Sequence, residues 1–159
     1  NNLFRDDVIT ITLRNSEYQP KRNSNLEEWY KVYQAIKKTR FRPIVIPCFE
    51  DCMKNKSYAK YDWEVWEPGC TEIDLRLALY EKSHDNLCIN NGTSTVLIYS
   101  NCKYHMFKLL TDGYPTTKPE FLMQEYTFEM GESPIFSSIN QHFIWEDDTA
   151  INILKHLDI

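Results

Sequence analysis

The stretch NLCINNGTSTVLIYSNCKYHMFKLL, residues 86–110, decides the fold. Two apolar runs, NLCIN at 86–90 and KYHMFKLL at 103–110, read as strands. About a dozen residues separate them, too many for a tight hairpin and enough for a helical crossover between parallel strands. The local propensity of STVLIY favours a strand instead. The length of the connection takes precedence here, so a parallel pair joined by a helix is expected.

The same alternation continues outward. DVITITLR at 7–14 is a strand rich in β-branched residues. After the loop NSEYQPKRNS, Ser24 and Glu27 form a capping-box pattern. Leu26, Trp29, Tyr30, Tyr33 and Ile36 then recur at helical spacing, which predicts a helix over 25–39. RPIVIPC at 42–48 is a second strand, with its prolines near the two ends. Residues 49–70 mix charges, aromatics and Pro-Gly, and read as an irregular loop with one short strand near Trp63 to Trp66. Thr71 and Asp74 repeat the capping-box signal ahead of a helix over 72–83.

Towards the carboxyl end, residues 111–140 carry prolines, glycines and little periodicity, with FLMQEYTF as a short helix. QHFIW at 141–145 is the last strand. Asp148 in EDDT reads as the cap of a final helix that turns Ile151, Ile153, Leu154 and Leu157 inward. The order predicts an α/β protein, a three-layer α/β/α Rossmann-like domain with a mostly parallel sheet and 7–14 at its centre. Residues 1–159 form a single domain of ordinary size on this reading.

Composition narrows the function. The net charge of −5 lacks the basic excess of a nucleic-acid binder. No apolar run reaches the ~20 residues that span a bilayer. The opening NNLFRDDV lacks the pattern of a signal peptide and reads as the approach to the first strand, so further chain is expected before it. The five cysteines are odd in number and include no CxxC pair. Cys48, Cys52 and Cys70 with His84 match no common zinc spacing. Free thiols, a buried Cys88, no metal, no cofactor and a cytoplasmic setting are therefore expected.

In parallel sheets, ligands bind beyond the carboxyl ends of the strands. Those ends read Arg14-Asn15-Ser16, Glu50-Asp51, Asn90-Asn91-Gly92-Thr93, Thr111-Asp112-Gly113 and Glu146-Asp147-Asp148. If a helix starts near Thr93 or Ser94, its first amides and its dipole form a cradle for an anion, and Gly92 allows close approach. The alternative is a plain turn with a helix cap. Arg14, Lys21 and Arg22 gather three cations around one strand–helix loop, either to grip phosphate or as a solvated charged loop. Glu50, Asp51, Glu146 and Asp147 are candidates to hold ribose or sugar hydroxyls or to act as bases. His84, His105, His142 and His156 sit in no nucleophile-elbow pattern and read as structural or exposed. The chain has no GxxxxGK[ST] and no GxGxxG.

The run IDLRLALYEKSHDNLCINNGTSTVLIYSNCKYHMFKLL resembles the donor-binding half of GT-B-type glycosyltransferases, particularly the heptosyltransferase-like and fucosyltransferase-like groups. There a helix leads to a strand, then to a turn of the form N-D-S/T-G-P/T, then to a second helix. Asn90-Asn91-Gly92-Thr93 corresponds to that turn, one residue shorter and with Asn91 in place of the usual Asp. Thr93 and Ser94 stand in its proline region. PKRNSNLEEW is similar to the heptosyltransferase K-R-W-P-x-x-x-F segment, with Asn23 for Trp. TLR at 12–14 is similar to the fucosyltransferase H-x-R motif, with Thr12 for His. The likeness covers most of residues 7–110 and again WEDDTAINIL.

The resemblance implies that Arg14, Lys21 and Arg22 meet the diphosphate of a nucleotide-activated sugar, beside Asn90, Asn91, Gly92, Thr93 and Ser94. It also implies a metal-independent transferase whose second Rossmann-like domain, amino-terminal to this one, commonly supplies the catalytic base. The alternatives are a non-catalytic flavodoxin-like binding module and a nucleotide-sugar epimerase or hydrolase.

Overall fold

The computed structural model describes residues 7–126 and 129–159. Five strands form one sheet: β1 (Val8–Thr12), β2 (Arg42–Ile46), β3 (Asp85–Ile89), β4 (Tyr104–Phe107) and β5 (Gln141–Phe143). The order is β2-β1-β3-β4-β5, and all four pairings are parallel. β1 is interior and lies beside both β2 and β3, as expected, but the middle strand is β3. A single parallel bridge, Val45 to Val65, adds a rudimentary strand outside β2. It is held by Val45 N–H to the Glu64 carbonyl and Trp66 N–H to the Val45 carbonyl, each 2.8 Å. This is the short strand read near Trp63 to Trp66. Counted in, the spatial order becomes 3-2-1-4-5-6, the doubly wound Rossmann order.

Six helices are described: α1 (Leu26–Ile36), α2 (Pro68–Thr71), α3 (Ile73–Lys82), α4 (Thr95–Ile98), α5 (Pro119–Tyr126) and α6 (Ala150–Leu154). Alternation along each strand splits the core in two. On one face Ile9, Ile11, Leu87, Ile89 and Phe107 pack against Trp29, Val32, Tyr33 and Ile36 of α1 and Ile153 of α6. On the other Val8, Ile44, Ile46, Cys88, Tyr104 and Met106 meet Leu79 and Tyr80 of α3, Leu97 and Ile98 of α4 and Leu122 of α5. Each fully buried apolar side chain contributes roughly 1.5–3 kcal/mol, so two covered faces hold the sheet between its helical layers.

The connection 90–103 contains the expected helix, but it is short. A 3-10 turn, Gly92–Ser94, runs into the four residues of α4. β4 stops at Phe107 because Lys108 turns to a positive φ of 50°. Two capping assignments shift by a residue. The N-cap of α1 is Asn25, accepting from Glu28 N–H, while Ser24 Oγ accepts from Arg14 N–H. The N-cap of α6 is Thr149, accepting from Asn152 N–H, which frees Asp148 for tertiary bonds. The Thr71–Asp74 box does not form: Glu72 precedes α3 and its side chain makes no capping bond. The approach NNLFRD and the last two residues of FLMQEYTF lie outside the described residues.

Candidate functional site

The carboxyl ends of the strands carry two hollows that share one loop. The first, about 310 Å³, opens where β1, β2 and β3 end. Arg14 and Ser16 follow β1, Cys48, Phe49 and Glu50 follow β2, and Asn91, Gly92 and Thr93 follow β3. The second, about 510 Å³, opens beyond β4 and β5 and is lined by Lys21, Asn25, Lys108, Asp112, Asp147 and Asp148 among others. The segment from Arg14 to Asn25 contributes to both. β1 and β3 are neighbours whose connections leave in opposite directions along the sheet, and this is the switch point at which such sheets bind ligands.

Arg14 organises that segment. Its guanidinium donates to the carbonyls of Tyr18 and Gln19 and to Asn23 Oδ1. Asn23 in turn accepts from Ser16 N–H at 3.0 Å and donates to the Ser16 carbonyl and to Asn15 Oδ1. Gln19 sits at a φ of 55°, which the loop must hold in place with these bonds. Arg22 reaches across the switch point, with Nη2 donating to the Asn90 carbonyl at 3.1 Å and Nη1 to Gln19 Oε1 at 2.8 Å. Its Nε is buried with no partner. Burial, and then the charge of Arg14, lower the proton affinity of Arg22, though an arginine so placed stays charged. Lys21 is exposed at the rim of the larger hollow.

The turn after β3 differs from the expected cradle. Asn91 Oδ1 accepts from Thr93 N–H at 2.8 Å, Ser94 N–H at 3.1 Å and Thr93 Oγ1 at 2.6 Å. The two amides that were to face an anion are thus taken by the turn's own asparagine, and Ser94 is fully buried. A four-residue α4 also lacks the length for a strong dipole. Gly92 is exposed with open space where a Cβ would stand, so the wall of the hollow is bare backbone there. Asn90 faces the other way and donates to the Leu109 carbonyl.

The acidic candidates divide. Glu50 lies at the smaller hollow, where Ser16 Oγ and Glu17 N–H, with Lys54, hold its carboxyl below the ordinary value. Asp51 does not reach either hollow. It is buried and accepts from Asn15 Nδ2, Ser57 N–H and Ser57 Oγ, which closes the π-helical turn Asp51–Asn55. Glu146 is drawn off to Lys155 at 2.5 Å and His156 at 3.4 Å. Asp147 stays exposed at the larger hollow.

No family model matches the chain, and no curated protein or solved structure matches it.

Of the twelve residues singled out from sequence, Arg14, Glu50, Asn91, Gly92 and Thr93 line one hollow, and Lys21 and Asp147 the other. Arg22 and Asn90 join loop and strand between them. Asp51, Ser94 and Glu146 stand apart from both. Phe49, Cys48 and Lys108 were missed. Phe49 is about half exposed, an apolar ring at a strand end where solvent alone would favour a polar residue, and that was the available signal. Lys108 gave none: its Nζ donates to the Asn23 carbonyl at 2.7 Å and pairs with Asp148 at 3.3 Å, partners distant in sequence.

Among the described residues no helix is long and apolar enough to cross a membrane, and no three His, Cys, Asp or Glu side chains gather as a metal site would require. All five cysteines are free thiols, and Cys88 is fully buried.

Proposed function

We propose that this domain binds the diphosphate of a nucleotide-activated sugar, as the donor-binding half of a GT-B-type glycosyltransferase. The observation that carries the reading is the parallel neighbour pair β1 and β3. Its ends bring the Arg14–Arg22 loop against the Asn90–Thr93 turn, at the switch point of a Rossmann-ordered sheet. The diphosphate would lie along the shared loop, where Lys21 and Arg22 offer charge-assisted donors. The smaller hollow, with Phe49 on its wall, suits the flat nucleobase, and the larger one suits hydroxyl-rich sugar against Asp112 and Asp147. The anion would be held by side-chain cations more than by the amides of Thr93 and Ser94. Catalysis on this reading needs a partner domain on the amino-terminal side to supply the base.

Calorimetric titration with uridine, guanosine, adenosine and cytidine diphosphates and their sugar conjugates tests it. Saturable binding of one diphosphate, tightened by its sugar, is expected. Binding of none of them by the chain, with or without its partner domain, would overturn the reading.

A second reading is a flavodoxin-like module with no catalysis. The self-capped turn of Asn91 favours it, because it leaves fewer backbone donors for phosphate than a working cradle offers.

A further inference from the structure

A third hollow, about 470 Å³, lies at the opposite ends of the strands, where β3, β4 and β5 begin. Lys103, His105, His142, Lys155, His156 and Asp158 line it. The parallel register sets His105 beside His142, and their rings stack at 4.9 Å and 25°. The His156 ring is 6.5 Å from that of His105. Three of the four imidazoles of the chain therefore meet on one wall, brought there from β4, β5 and the turn after α6.

Behind them Asp85 is almost fully buried. It pairs with Lys103 at 3.0 Å and with His105 Nδ1 at 3.2 Å. Burial alone would raise the Asp85 carboxyl, but the hydrogen bonds and charges of His105 and Lys103 outweigh it and hold it below the ordinary aspartate value. A carboxylate at Nδ1 fixes the orientation of the ring, so Nε2 points away from it. The His105 side chain is 6% exposed and lines the hollow, and among the described residues no hydrogen bond involves its Nε2 or either nitrogen of His142.

The charges that face the imidazoles are Lys103 and Lys155 on one side and Asp85, Glu146 and Asp158 on the other. His84, stacked on Phe41 at 4.4 Å, faces Asp85 and Lys103 as well. With neutral imidazoles the acids outnumber the lysines. Protonation of His105, His142 and His156 reverses that balance and turns every ring nitrogen into a donor. Burial, and then the charges of His105 and Lys103, keep His142 below the ordinary histidine value, and a neighbouring anion would favour its protonated form.

We propose that this hollow is a proton-linked binding site for a tetrahedral oxyanion of the phosphate class, distinct from the switch-point crevice. His105 and His142 offer ring N–H donors from two neighbouring strands, and His156, which also meets Glu146 at 3.4 Å, adds a third imidazole beside them; such donors suit the several acceptor oxygens of phosphate, and bonds of this charged kind are the strong ones. The anion is either free or the terminal group of a phosphomonoester.

The test is a titration of the whole chain with inorganic phosphate, followed by the NMR resonances of the four histidine rings at about pH 6 and about pH 8, on either side of the histidine range. Saturable shifts of His105, His142 and His156 are expected at the lower pH, with affinity at least roughly tenfold weaker at the higher one. His142→Gln and His156→Gln should each weaken the binding, and Arg22→Ala, at the crevice, should leave it unchanged. A parallel titration with glycerol phosphate separates the sources: tighter binding than phosphate identifies a phosphomonoester site, weaker binding a free-anion site. Absence of shifts at tens of millimolar phosphate at the lower pH overturns the proposal. So does binding that survives both substitutions, or that disappears with Arg22→Ala. Should His142→Gln not fold, His156→Gln carries the test, because that side chain lies in a turn and is 33% exposed.

Discussion

The guanidinium of Arg22 donates to the backbone carbonyl of Asn90 at 3.1 Å, across 68 positions of chain. The bond fastens the loop after β1 to the end of β3, the two edges of the switch point. Under the proposed function the same guanidinium meets phosphate. Arg22→Ala should weaken nucleoside diphosphate binding by about ten- to a hundredfold, since a hydrogen bond to a charged group contributes roughly 1.5–3 kcal/mol. Arg22→Lys keeps the charge without the two-pronged geometry and should fall between. Calorimetry on the three proteins decides, and equal affinity in all three would remove Arg22 from the site.

Arg14 carries a different expectation. Its donors go to Tyr18, Gln19 and Asn23, so its first role is to hold the loop. Arg14→Ala leaves those acceptors without their donor and should cost about 1–3 kcal/mol of stability. Urea denaturation measures this, and faster amide exchange over residues 15–23 should accompany it. Unchanged stability would show that the loop holds itself.

Asp148 should be the costliest surface-proximal acid to remove. It accepts from Asn25 N–H at 2.7 Å and Trp29 Nε1 at 2.9 Å and pairs with Lys108, and it is 3% exposed. Asp148→Ala orphans the Asn25 and Trp29 donors and leaves the Lys108 ammonium with the Asn23 carbonyl but no counter-charge, at an expected cost of about 3–5 kcal/mol. Thermal melting of Asp148→Ala against Asp147→Ala is the comparison, with little change expected for exposed Asp147.

The strands and their parallel sense were legible because β-branched runs and connection length are local properties. The length of the 90–103 connection overrode the strand propensity of STVLIY correctly. The caps were misplaced because Ser24, Asn25, Asp148 and Thr149 offer nearly the same chemistry, and tertiary partners choose among them. Arg14, Lys21 and Arg22 were found as charges on a short loop. Lys108 and the imidazole wall were not, because their contacts join β1, β3, β4, β5 and the chain's last turn.

Acid sensitivity follows from Asp85. Its folded carboxyl lies below its ordinary value of 3.8, so it contributes stability that is complete above that value and is lost as pH falls through the lower folded one. Asp85→Asn should therefore lower stability at neutral pH and flatten its dependence on pH in the acid range. Urea midpoints taken down the pH scale test this, and parallel curves for the two proteins would refute it.

The thiols should react in order of access. Cys48 is partly exposed on the wall of the smaller hollow, whereas burial pushes Cys88 up to about 12. Iodoacetamide should label Cys48 first in the folded protein, and Cys88 only after unfolding, because the thiolate is the reactive form. Peptide mass mapping at intervals reads the order. Early labelling of Cys88 would mean that the β3 layer opens readily.

The bridge from Val45 to Val65 also covers the outer edge of β2. A parallel sheet ends in a row of backbone groups that invite a foreign strand. Along the outer side of β2, Val45 already has both its groups engaged by Glu64 and Trp66, and Pro43 has no N–H to offer. Arg42, at the start of the strand, is clamped to Glu64. Gly69 lies against the Trp66 ring, where a Cβ would come within 2.8 Å of it. Loosening the 63–66 segment would uncover a ready-made template, and the first symptom would be self-assembly through the β2 edge, ahead of any loss of the fold beneath it.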